Sequence, residues 1–118
     1  MSDKKKYSGI MNHVKLYRPG HLHYGTNIAL NSIYWIQRGS KISKNHAKLL
    51  TDYFDNQTEL SPFKFIPALK VQYVIEKTKI SYQTLRRFNL YQDYSETTLQ
   101  KMKQLQQEIS DAWKKRRP

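Results

Sequence analysis

The stretch VQYVIEKTKISYQTLRRFNL, Val71 to Leu90, holds two helical patterns with a tight corner between them. Pro67 sits at a first-turn position, and a helix is predicted from there to about Thr78, with Leu69, Tyr73, Val74 and Ile75 turned inward. A second helix follows from Ser81 to about Leu90. Thr78-Lys79-Ile80 between them is too short for anything but a tight corner, so the two helices must cross sharply. Val74, Ile80, Leu85 and Phe88 take the inward positions, Thr78 is small where the helices approach, and Ser81 is placed to cap the second helix. The outward positions fall to Ser81, Tyr82, Gln83, Arg86 and Arg87, with Lys79 at the corner.

The next helix starts near Ser95, whose hydroxyl and the following Glu96 make a helix start. Leu99, Met102, Leu105, Ile109, Ala112 and Trp113 then lay one apolar stripe along one face. Glu96 matches the positive end of the helix dipole and Lys114 to Arg117 the negative end. Upstream, Asn31 to Arg38 and Ser43 to Asp55 read as helices, separated by Gly39 and with Ser43 as a cap. Residues 56–66 read as a linking loop, and Phe63 to Ile66 is the one short strand candidate. The predicted fold is all-α, a small helix-turn-helix bundle, in two halves: 1–58, helical and a degenerate helix-turn-helix candidate, and 59–118, which holds the crossing pair and the C-terminal helix.

A DNA-binding helix-turn-helix needs apolar residues at fixed offsets, so that its second helix packs across the first and keeps an outer face for the major groove. Val71 to Leu90 meets that requirement: Arg suits guanine, Gln suits adenine, and Ser or Tyr reaches phosphate. The segment, followed by YSETTLQKMKQL, resembles the Cro and lambda-repressor type of helix-turn-helix protein, the XRE family, over about a third of the chain. Lys79 departs from the pattern, since it stands where that family usually has glycine in the turn. The resemblance implies a sequence-specific regulator of double-stranded DNA, a repressor of phage or plasmid type, acting as a homodimer or an intramolecular pseudo-dimer. A helical hairpin with solvated Arg86 and Arg87 is the plain alternative.

Shifting the sequence by 52 residues aligns Ile28 with Ile80, Ile33 with Leu85, Ile36 with Phe88, Ile42 with Tyr94, Ala47 with Leu99 and Leu50 with Met102. Thr26 with Thr78 and Ser43 with Ser95 are identical, too. Two tandem pseudo-repeats and a chance register both remain open. The outward positions of the first copy would be Ala29, Leu30, Asn31, Tyr34 and Trp35. Such an apolar and aromatic face suits a protein interface, with Leu30, Tyr34 and Trp35 as anchors, or a contact between the halves. Arg38 and Lys41 are within the same stretch and suit phosphate. The expected arrangement is one reading helix in the second half, supported by a first half that dimerises or docks; the other is a single chain contacting two half-sites.

The composition agrees with an anionic partner. The chain of 118 residues carries 21 Lys or Arg against 9 Asp or Glu, a net charge of +12, shared evenly between residues 1–58 and 59–118. Lys4 to Lys6 and Lys114 to Arg117 are local runs, but they do not account for all of the excess. Nucleic acid is the natural partner of such a balance, ahead of an anionic membrane or an acidic protein. With no cysteine, disulfides, thiolate metal sites and cysteine nucleophiles are excluded. The uncharged stretch His21 to Gln37 holds too many polar groups for a membrane span, and no secretory signal is recognisable. A cytoplasmic, nucleoid-associated protein is expected.

Catalytic chemistry is not expected. His13, His21 and His23 form the one cluster that suggests a metal, but a further local ligand is missing, so they read as residues of a polar surface loop or as phosphate contacts. Asp52 and Asp55 read as solvated caps. No Gly-rich phosphate loop and no Ser-His-Asp spacing stands out, and no cofactor is implied. The rival to a DNA-binding regulator is a basic adaptor or inhibitor of a protein or ribonucleoprotein, or a binder of single-stranded RNA, to which nine tyrosines lend stacking surfaces.

Overall fold

The computed structural model describes residues 7–118; the Lys4 to Lys6 run lies outside the described residues. Within them the chain is all-α, and the only β-type pairing is one isolated bridge. The helices are α1 (Ser8–Val14), α2 (Pro19–Thr26), α3 (Leu30–Gln37), α4 (Lys44–Gln57), a short α5 (Pro62–Phe65) with a 3-10 turn at Ile66–Ala68, α6 (Val71–Thr78), α7 (Tyr82–Tyr91) and α8 (Glu96–Arg116). The serines at three starts act as read from the sequence: Ser43, Ser81 and Ser95 accept from the backbone N–H of His46, Thr84 and Thr98. Gly39, at φ 101°, closes α3 in a conformation that side-chained residues rarely take.

The elements themselves correct four expectations. Phe63 to Ile66 is helical, not a strand, because Pro62 opens a helical turn in which Phe65 and Ile66 are buried. That turn, and the extension of α4 to Gln57, shorten the predicted loop. The helix predicted from Pro67 starts only at Val71, since Leu69 is extended and bridged to Tyr17. Finally, the histidines are not in a surface loop: His13 is buried in α1, and His21 and His23 lie on α2.

The 52-residue register is built into the backbone. The starts of α2, α3 and α4 at Pro19, Leu30 and Lys44 have counterparts 52 residues later in α6, α7 and α8, at Val71, Tyr82 and Glu96. Both corners are made alike: Thr26 and Thr78 are buried and donate back to the Leu22 and Val74 carbonyls, at 2.6 and 2.7 Å. Asn27 and Lys79 follow in the left-handed region, at φ 62° and 59°. Lys79 thus has the backbone conformation that a turn glycine would adopt. Lys79→Gly is expected to raise stability by about 0.5–1 kcal/mol, because relief of left-handed strain exceeds the extra chain entropy. A higher urea midpoint with an unchanged slope would register it.

The two halves meet around the same register. Tyr17 bridges Leu69, the Arg18 N–H donates to the Ala68 carbonyl at 2.8 Å, and the Lys70 N–H donates to the Leu16 carbonyl at 2.9 Å. Leu16, Tyr17 and Arg18 stand 52 residues before Ala68, Leu69 and Lys70, so exchanging the halves turns one hydrogen bond into the other. That reciprocity is what a local two-fold axis produces.

One core runs through both halves. The stripe of α8 buries Met102, Leu105, Ile109 and Trp113, and the helix packs on α1, α5 and α6. The contact with α1 is close enough that a Cβ on Gly9 would run into the Arg116 carbonyl. At this end His13 sits among Tyr17, Phe54 and Trp113, with ring centroids 4.6–5.4 Å away. Trp113 Nε1 donates to Asp55 at 2.8 Å, and Arg117 clasps the same carboxylate with two donors. Asp55 is therefore a fastening point between α4 and α8, not a solvated cap, and the Arg117 bond holds its carboxyl below the usual range.

Candidate nucleic-acid interface

The corner between α6 and α7 is held from within. Val74, Leu85 and Phe88 are fully buried, and Phe63 stacks on Phe88 with centroids 4.9 Å apart. These contacts leave the opposite side of α7 to solvent. Ser81, Tyr82, Gln83, Arg86 and Arg87 are all exposed, as is Lys79 at the corner. Two turns of helix thus present hydroxyl, phenol, carboxamide and two guanidinium groups on a rigid support, with the positive N-terminal end of the helix among them.

Beside α7 lies a cleft of about 340 Å³ that sequence reading missed. Arg18 and His21 form one wall, from the first half; Tyr82, Arg86 and Asn89 form the other. Arg18 Nε donates to the Leu69 carbonyl at 2.9 Å, which fixes the guanidinium near the local axis. Burial, and then Arg18, push the His21 pKa down, which favours the neutral ring. Asn89 Oδ1 is buried without a hydrogen-bond partner among the described residues. The sequence signal for this wall is Pro19, a helix-start residue directly after Arg18.

On α3 the structure gives the equivalent positions to Leu30, Asn31, Tyr34 and Trp35, all exposed, with Trp35 at 58%. Arg38 lies over the Trp35 ring, 5.7 Å from its centroid, and Lys41 is exposed just beyond. Gln37, on the inner side, donates to the Val14 and Tyr17 carbonyls and ties α3 to the axis region. The residues assigned to α7 and those assigned to α3 therefore lie on two different helices, one in each half.

Among the described residues no three His, Asp or Glu side chains gather as metal ligands, and no helix is long and apolar enough to cross a membrane. No family model, curated protein or solved structure matches this chain.

Proposed function

We propose that the chain is a sequence-specific binder of double-stranded DNA, a transcriptional regulator of repressor type, with α7 as the reading helix. The observation that carries this reading is the exposed row Gln83, Arg86 and Arg87 on a helix buttressed at a tight corner. Arg pairs with guanine through two donors and Gln with adenine, while the hydroxyls of Ser81 and Tyr82 and the ammonium of Lys79 suit phosphate. The net charge of +12 supplies the salt-sensitive part of the affinity.

In gel-shift titrations the protein is expected to prefer a selected duplex over random duplex and single-stranded RNA. The Arg86→Ala, Arg87→Ala variant is expected to lose that preference by roughly ten- to a hundredfold. Equal, salt-erased binding to all three nucleic acids would overturn the proposal. The exposure of Tyr34 and Trp35 on α3 favours a second reading, a basic adaptor for a protein or ribonucleoprotein. It would be preferred if Trp35→Ala abolished a partner while Arg86→Ala, Arg87→Ala did not.

A further inference from the structure

We propose that α3 is a second reading helix, so that one chain spans two unequal half-sites on one duplex; this rests on the reading of α7 given above. The argument begins with the backbone. The helix pair α2–α3 repeats α6–α7 at a spacing of 52 residues, with a buried threonine and then a left-handed residue, Asn27 or Lys79, at each corner. The reciprocal hydrogen bonds between Leu16–Arg18 and Ala68–Lys70 relate the pairs by a local two-fold axis. Whatever α7 presents to a two-fold partner, α3 presents from the other half. Duplex DNA is such a partner, since its backbone has a dyad at each base pair. Successive half-sites on one face lie one helical turn apart, about 34 Å. The molecule is 47 Å long in its greatest extent, which accommodates that separation.

The side chains then say what each half would read. Exchange of the halves places Asn31 on Gln83, both exposed and both carboxamides, the group that pairs with adenine through a donor and an acceptor. Arg86 and Arg87 are replaced by Tyr34 and Trp35, and Tyr82 by Leu30. The guanine-directed groups of one half thus give way to apolar surface, which suits the thymine methyl in the major groove. Arg38 and Lys41 flank that surface as phosphate contacts. Charge favours DNA over a protein here, because the half that carries α3 has as large a basic excess as the half that carries α7. The predicted site is an imperfect palindrome: adenine recurs in both half-sites, beside guanine in one and thymine in the other.

The test is selection from a random duplex library with the full chain, followed by footprinting and native mass spectrometry on the selected duplex. One chain per duplex is expected, with two protected patches centred about ten base pairs apart. Asn31→Ala should weaken discrimination in one patch by roughly ten- to a hundredfold and leave the other intact, and Gln83→Ala should do the reverse. Both positions are exposed, so circular dichroism should show the fold unchanged. Two chains on a symmetric site would overturn the proposal. So would a single patch with Asn31→Ala and Trp35→Ala indistinguishable from wild type; α7 would then still read DNA, and capture of a protein through Trp35 would take over α3. Enrichment of no sequence would remove the reading of α7 as well.

Discussion

Trp113→Ala is expected to cost about 3–5 kcal/mol of unfolding free energy, the range for deleting a fully buried large aromatic side chain. Trp113 is 1% exposed and meets His13 and Phe54 with ring centroids 4.9 Å away in each case. It therefore joins α8 to both α1 and α4, and its removal leaves a cavity that rigid rings cannot close. Its indole N–H also satisfies Asp55, so the alanine variant weakens the α4–α8 fastening as well. Against a total stability of about 5–15 kcal/mol for a domain, this is a large share. Urea unfolding followed by circular dichroism gives the number. Trp113→Phe, which keeps a ring and loses the N–H, should cost clearly less than alanine, with about 1 kcal/mol of its loss due to the hydrogen bond. A loss under about 1 kcal/mol for the alanine variant would mean that the end of α8 does not pack where the structure places it.

The second large effect is acid sensitivity from His13. Burial lowers its pKa from 6.5 to about 3, with the Arg116 charge adding to the shift. Arg116 donates to Nδ1 at 3.2 Å, so the neutral ring carries its proton on Nε2, facing Tyr17. The folded state therefore takes up this proton later than the unfolded chain as pH falls. Stability from His13 is full above pH 6.5 and is lost progressively down to about pH 3. Between pH 6.5 and 4 the loss should be roughly 3 kcal/mol, read from urea midpoints across pH. His21 is shifted the same way, so His21→Gln serves as the control for its share. Asp55 stabilises the fold above 3.8 and loses that contribution only as pH falls below it, because the Arg117 bond depresses its pKa, so it adds little to the slope at higher pH. His13→Leu should remove most of the slope; a slope unchanged in that variant would place the acid-sensitive group elsewhere.

The second half of the chain was more legible than the first. Ser81 and Ser95 are strong caps, Leu85 and Phe88 keep helical spacing, and the outward side of α7 follows from those buried positions. α1 and α2 were not legible, because their first turns hold no acidic residue and no side-chain cap, and α2 carries Gly20, Gly25 and two histidines. What makes them helices is tertiary: Ile10, His13, Val14 and Leu22 are drawn into the common core. The 52-residue register, carried upstream from Thr26, places Pro19 opposite Val71 and would locate α2. The cleft of Arg18, His21 and Asn89 joins residues from both halves, and periodicity within one helix carries no signal for it.

The inequality of α3 and α7 has a consequence for direction. A dimer of identical subunits meets its operator equally well in either orientation, so it cannot distinguish left from right along a gene. Here the two helices are fused in one polypeptide and carry different side chains at matching positions. On a duplex such a chain has a head and a tail. Bound as proposed, it would lie one way round and place what it occludes or recruits on a defined side of its site, marking polarity along DNA.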